Sequence, residues 1–246
     1  DRARSISEEL GMSSEFEKLT RIISALLSTH ESSVLASSVG KARSTGCPYD
    51  RHRIELFEKL YDSLQSIHFP LVDNPYKTEQ EYQLFAFFES YFSNYIEGTQ
   101  FELSEAKQIV DTGVSIPMRR EDSHDILGTY RLLSNRGEMQ LVPKNEDELI
   151  EILRYRHRIM LEERPQCTPG MFKARANQAG DTVFVTPELV EGTLRYGFRY
   201  YSALSSPLAR AIYMMFLCSE VHPFVDGNGR IARMMMNAEL SAGGVS

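Results

Sequence analysis

One twelve-residue stretch constrains this chain more than any other: His222-Pro223-Phe224-Val225-Asp226-Gly227-Asn228-Gly229-Arg230-Ile231-Ala232-Arg233. It follows a run over about 207–220 that is apolar nearly all round, with Ala209, Ala211, Ile212, Met214, Met215, Phe216 and Leu217. A helix without a polar face belongs in a protein interior. Pro223 pushes His222 out of helical geometry and ends that helix. The glycines at 227 and 229 admit positive φ and let backbone N–H groups approach a ligand. Ile231 to Leu240 then resumes an apolar helix. The chain must turn from one buried helix into another through a glycine-rich loop.

That turn has chemical content. A Gly-rich turn at a helix N-terminus makes an anion nest. Arg230 and Arg233 are three apart, so they take neighbouring positions in the first turn. Two guanidiniums beside a nest suit a polyphosphate. Asp226 adds a carboxylate where Mg²⁺ would be held. His222 is the group in the segment whose pKa suits general-base work near neutrality. Phe224 is expected to point inward and anchor the loop. The same residue types also fit a blander arrangement: a helix terminator, a common turn and two solvated arginines.

The rest of the chain is dominated by helical periodicity. It marks helices over 5–29, 51–66 and 78–96, the last carrying Tyr82, Phe85, Phe88, Phe92 and Ile96. Further helices are expected from Ser104 to about Gly113, over 122–136, and from an Asn145 N-cap with Glu148 in a capping box to about Leu161. Residues 31–50 are rich in Ser and Gly and read as a linker. Pro70, Asp73, Asn74 and Pro75 break the pattern again. After the turn-like Gln178-Ala179-Gly180-Asp181, the run Thr182-Val183-Phe184-Val185 predicts one β-hairpin. Thr186-Pro187 and Ser206-Pro207 read as helix starts. The fold class is mainly α, with a helical N-terminal region over 1–80 and a core over 81–246. A chain of 246 residues has enough core for this.

Composition narrows the partners. A net charge of -7 argues against duplex nucleic acid. No apolar stretch reaches the length of a membrane span, and the N-terminus lacks the apolar region of a signal peptide. It also lacks a Met, and the sequence reads as a piece of a longer protein. Cys47, Cys167 and Cys218 are odd in number and widely spaced, which fits reduced thiols and a cytoplasmic location. His30, His52, His68 and His124 lack metal-site spacing. Arg154, Arg156, His157 and Arg158 read as a solvated cluster complementing a helix C-terminus. Met234, Met235 and Met236 read as packing, and Asn237, one turn past Arg233, is within reach of a nucleotide.

The segment 222–233 resembles the signature of the Fic (filamentation induced by cAMP) family, H-x-F-x-[D/E]-G-N-G-R-x-x-R. Every specified position is matched. Pro169-Gly170-Met171-Phe172-Lys173 is similar to the Pro-Gly run before the family's flap, and the likeness extends over roughly 90–240. It implies a Fic-fold helical bundle with one β-hairpin flap, at about 172–186. It implies a protein adenylyltransferase, moving AMP from ATP to a Ser, Thr or Tyr hydroxyl of a target protein. In that scheme His222 is the base and Asp226 holds Mg²⁺. Gly227, Asn228, Gly229 and Arg230 bind phosphates, and Arg233 pairs with the γ-phosphate. Phe184 and Val185 of the flap bind the target by strand addition. Self-modification and a homodimer are compatible with this activity. So are two alternatives: transfer of another phosphate-containing group, and a nucleotide-binding regulatory module with negligible turnover.

A second resemblance lies upstream. Ser93-Asn94-Tyr95-Ile96-Glu97-Gly98 is similar to the family's inhibitory motif, [S/T]-x-x-x-E-[G/N], at the end of a helix over about 83–98. Ser93 and Glu97 share a helix face. The resemblance implies that Glu97 pairs with Arg233 and displaces the γ-phosphate.

Overall fold

The computed structural model describes residues 2–27, 35–44, 46–70 and 76–245. His30 and the pattern breakers Asp73, Asn74 and Pro75 lie outside the described residues. Among those described, the helices in chain order are α1 (Arg2–Glu9), α2 (Ser13–Leu26), α3 (Ser38–Ser44), α4 (Arg51–Ser66), α5 (Glu79–Ile96), α6 (Leu103–Thr112), α7 (Arg120–Leu133), α8 (Arg136–Met139), α9 (Glu146–Met160), α10 (Val190–Ala203), α11 (Pro207–Val221) and α12 (Asn228–Gly243). One antiparallel hairpin, β1 (Gln178–Ala179) with β2 (Thr182–Val183), lies between α9 and α10. No described helix is long and apolar enough to cross a membrane.

Local chemistry sets the helix starts. Asp50 accepts from Arg53 N–H and caps α4. Thr78 and Glu81 form a capping box at α5. Asn145 accepts from Glu148 N–H at α9, while the Glu148 carboxylate reaches back to Lys144 N–H rather than to Asn145 N–H. Ser206 caps α11, with Pro207 at the first position. Thr186-Pro187 starts only a 3-10 turn, Pro187–Leu189, and α10 follows it.

The centre of the molecule is α11 packed along α12. Tyr213, Met214, Leu217, Met234 and Met235 are buried there, and the same core takes in Leu153 of α9, Leu194 and Phe198 of α10, and Ile54, Phe57 and Leu64 of α4. A smaller cluster joins Phe87, Phe101, Ile109 and Ile126 from α5, α6, α7 and the α5–α6 turn. The segment from His222 to Gly227 joins these two central helices, so its backbone is set by the core.

Three sequence expectations need correction. Residues 31–50 are not all loop, since α3 forms inside them. The helical pattern over 5–29 divides into α1 and α2, with a turn at Leu10–Met12. The cluster at the end of α9 is solvated only in part: Arg154 and Arg158 are exposed, but Arg156 and His157 are fully buried. Their helix positions face the core, where Arg156 donates to the Glu138 carboxylate and to the carbonyls of Glu138 and Leu141.

Candidate active site

His222 ends α11 in a left-handed conformation, φ 51 and ψ 59. An L residue there carries roughly 1–2 kcal/mol of strain, so its surroundings must hold it. They do so on both sides. His222 N–H donates to Cys218 O at 3.0 Å, and Lys173 N–H donates to Pro223 O at 2.9 Å. Asn177 Nδ2 and Asn228 Nδ2 both donate to Phe224 O at 3.0 Å, and Phe224 N–H donates to Asn228 Oδ1 at 2.8 Å. Phe224 is buried as expected, stacked 3.7 Å from His157. Asn228 therefore uses its carbonyl oxygen and one of its two amide N–H groups to staple the loop.

The imidazole of His222 has a defined proton. Its Nδ1 lies 3.3 Å from Ser219 O, and a carbonyl only accepts, so Nδ1 is the donor and Nε2 keeps its lone pair. Burial pushes its pKa below the ordinary histidine value; Lys173 adds to this, against the Ser219 carbonyl. A neutral imidazole with an open Nε2 is a base. Phe184 stacks on the ring, with centroids 3.7 Å apart and planes 5° apart. An open cleft of about 280 Å³ reaches the ring past Ala179, Thr182, Glu220 and Gly229.

The hairpin is shorter than expected. The ladder stops at Val183, which is exposed; Phe184 and Val185 lie beyond it. Phe184 N–H still donates to Asn177 O at 3.2 Å, but Val185 is fully buried in the main core and cannot face a partner. The apolar run was bringing the chain back inside, so its end is core rather than strand.

At the start of α12, Gly227 is the N-cap and offers no side chain. The N–H groups of Asn228, Gly229 and Arg230 have no intrahelical partner, which leaves a positive helix end facing the cleft. The Glu97 carboxylate fills that place. A Cβ built on Gly229 would fall 2.2 Å from Glu97 Oε1, so any side chain at 229 would push the Glu97 carboxylate from this place. Arg233 Nη2 donates to the same oxygen at 2.7 Å, and Arg233 also donates to Ser93, from Nε to Oγ and from Nη2 to the carbonyl, both at 2.9 Å.

Arg230 is placed differently from Arg233. It is buried, with Nη1 donating to Asp125 Oδ2 at 2.8 Å and to Asn94 Oδ1 at 3.1 Å. Asp125 is held from the other side by Arg164 at 2.8 Å. Arg230 thus sets positive charge under the loop instead of presenting a free fork to a phosphate. Asn237 is tied to Glu89 at 2.9 Å. Asp226 is the more exposed carboxylate: Oδ1 accepts from Gly227 N–H at 2.6 Å and Oδ2 from Arg230 Nη2 at 3.4 Å, while the side chain remains half-exposed.

Mg²⁺ tolerates few protein ligands and usually binds one or two carboxylates plus substrate phosphates and water. Asp226 fits that pattern. Among the described residues no three His, Cys, Asp or Glu side chains gather to hold a metal alone. Five side chains that shape the site escaped the sequence reading: Asn94, Asp125, His157, Arg164 and Lys173. Asn94, His157 and Lys173 stand in or beside sequence patterns, and in none of them does spacing disclose a contact made through space.

Comparison with known proteins follows the same outline. Residues 147–240 match the family model described as Fic/DOC family. A protein adenylyltransferase Fic from Nematostella vectensis is 30% identical over 163 residues, covering 63% of this chain and 37% of that protein. A protein adenylyltransferase Fic from Drosophila persimilis is 26% identical over 199 residues, covering 79% and 38%. The chain thus spans well under half the length of these relatives. A solved structure of Fic-1 from C. elegans superposes with a TM-score of 0.55 at 20% identity, covering 98% of this chain and 71% of that one. A Fic domain containing signaling protein from Bacteroides thetaiotaomicron gives 0.50 at 22%, covering 77% and 72%. At such identities the structures speak for the helical fold alone.

Proposed function

Since the chain carries a Fic/DOC-family domain, we propose that it is a protein adenylyltransferase that moves AMP from ATP to a protein hydroxyl and is held in check by Glu97. The Glu97 carboxylate carries this reading. It lies over the N-terminus of α12 and pairs with Arg233, so the chain's own anion fills the place and holds the cation that a terminal phosphate needs.

With Glu97 withdrawn, Arg233 and the free N–H groups of α12 receive the phosphates. Arg230 and Asp125 hold the loop beneath them. His222 Nε2 takes the proton of a Ser, Thr or Tyr hydroxyl. That oxygen bonds to the α-phosphorus, the bond to the β-phosphate oxygen breaks, and pyrophosphate leaves. Asp226 would hold Mg²⁺, which when bound offsets phosphate charge. The exposed hairpin beside the cleft offers the target an edge to pair with, apart from Val183 O, which Arg53 holds, and Phe184 bounds the cleft beside the base. Catalysis of this kind is positioning plus charge stabilisation.

Intact-mass analysis after incubation with ATP and Mg²⁺ tests the reading on the parent chain, Glu97→Gly, and Glu97→Gly with His222→Ala. A one-AMP gain in Glu97→Gly, weak in the parent and absent from the double variant, is expected. If ATP binds but no variant gains mass, alone or with a lysate supplying acceptors, the domain is a nucleotide-binding regulatory module instead.

A further inference from the structure

We propose that Arg53, on a helix well outside the family-matched residues, is a positioning residue of the acceptor cleft: it ties the hairpin to the end of α11 and so keeps Phe184 over His222. Its guanidinium has two partners on two elements. Nη1 pairs with the Glu220 carboxylate, in the last turn of α11 and two residues before His222. Nη2 donates to Val183 O at 2.8 Å, at the end of β2 and one residue before Phe184. The two residues it grips thus adjoin the two rings that stack at 3.7 Å.

Arg53 is itself firmly placed. Asp50 N–H donates to Thr193 Oγ1 of α10 at 2.9 Å, and Asp50 Oδ1 accepts from Arg53 N–H at 3.1 Å. One turn on, Phe57 is fully buried and meets Phe216 of α11 edge-on at 6.0 Å. The Arg53 side chain is only 11% exposed, so its fork is held between α4, α11 and β2 rather than loose in water. A planar guanidinium spans two acceptors in fixed geometry; an ammonium does not.

The hairpin needs such a tie. It has two residues in each strand, and an isolated two-stranded ribbon is marginal in water. On its inner side Asn177 holds it to Phe224 O at 3.0 Å, and on its β2 side the holder is Arg53. The placement of Phe184 follows from these contacts alone; its meaning for an acceptor rests on the transfer reading above.

Nuclear magnetic resonance tests the placement without turnover. The His222 ring protons, face to face with Phe184, carry an upfield ring-current shift, and Phe184→Ala sets its zero. Arg53→Ala is expected to lose most of that shift with an unchanged thermal midpoint. Arg53→Lys keeps a cation for Glu220 but releases Val183 O, so amide exchange at Phe184 is expected to quicken roughly tenfold. This second variant decides the matter if Arg53→Ala does not fold. Parent-like shifts and exchange in the folded variants would overturn the proposal.

A second arm reads transfer in a Glu97→Gly background. There Arg53→Ala is expected to raise KM for the acceptor protein severalfold, with KM for ATP unchanged. An unchanged acceptor KM counts against the role in acceptor placement. Absence of any transfer in Glu97→Gly itself counts against the transfer reading and leaves the resonance arm to decide Arg53.

Discussion

Glu97 closes α5 at the end where a helix dipole disfavours a carboxylate. It stays there because it faces the opposite end of another helix, α12, and the Arg233 guanidinium. A hydrogen bond to a charged group is worth about 1.5–3 kcal/mol, or roughly tenfold to a hundredfold in an equilibrium. Glu97→Gly is expected to raise the initial rate of AMP transfer by about that factor; a rate equal to the parent's would show that the pair does not gate the site. His222 supplies a second prediction. A base works when neutral, and burial lowers the pKa of His222, so neutrality persists to lower pH than for an ordinary histidine. The acid limb of kcat/KM in Glu97→Gly is expected below about 6.5, the ordinary histidine value. A limb at or above that value would mean that another group titrates. These two residues could be picked from the sequence because each lies in a short motif. Asp125 could not: its carboxylate meets Arg230 across a sequence separation of 105 residues, and no spacing encodes that contact.

Elements meet at His157. From α9 its Nδ1 accepts from Gly170 N–H at 2.9 Å, its Nε2 lies 3.1 Å from Asp226 O, and its ring stacks on Phe224. The imidazole therefore joins a helix, the turn before the flap and the active-site loop, and it must be neutral to accept from Gly170. Burial pushes its pKa to about 4, opposed by the Asp226 carbonyl. Below about 6.5 the unfolded chain takes up this proton while the folded chain does not, so stability falls as pH drops toward 4, by on the order of 3 kcal/mol at most. Urea unfolding across that interval is expected to show a shallower loss for His157→Gln than for the parent. Parallel curves would mean that His157 does not titrate on unfolding. The sequence showed a basic patch at a helix end; which of its members turn inward depends on the angle at which α9 meets the core. The hairpin was foreseen from its turn and its β-rich run, but its length was not, since Val185 is claimed by the core.

At the scale of the whole molecule, the pattern break before residue 80 suggested an N-terminal region apart from the core. Packing crosses that point. Ile54, Phe57 and Leu64 lie in the main core, and the backbone of Pro48 sits so close to α10 that a Cβ on Gly192 would fall 2.0 Å from Pro48 O. By contrast α1 and α2 bury only Ser7 and Ala25. Two truncations separate these cases. Removing residues 1–34 is expected to change the unfolding free energy of the remainder by no more than about 1 kcal/mol. Removing 1–66 bares the seat of three large side chains at roughly 1.5–3 kcal/mol each. That loss rivals the total stability of a domain, about 5–15 kcal/mol, so the shorter chain is expected to show no cooperative transition in circular dichroism. Parent-like unfolding of the chain from residue 67 would make α4 an appendage, and the grip of Arg53 on the hairpin would then lack its foundation. Collapse of the chain from residue 35 would mean instead that α1 and α2 support the core through contacts stronger than burial reveals. The expected pair of results would place the start of the cooperative unit between residues 34 and 67, well before the first residue matched to the family.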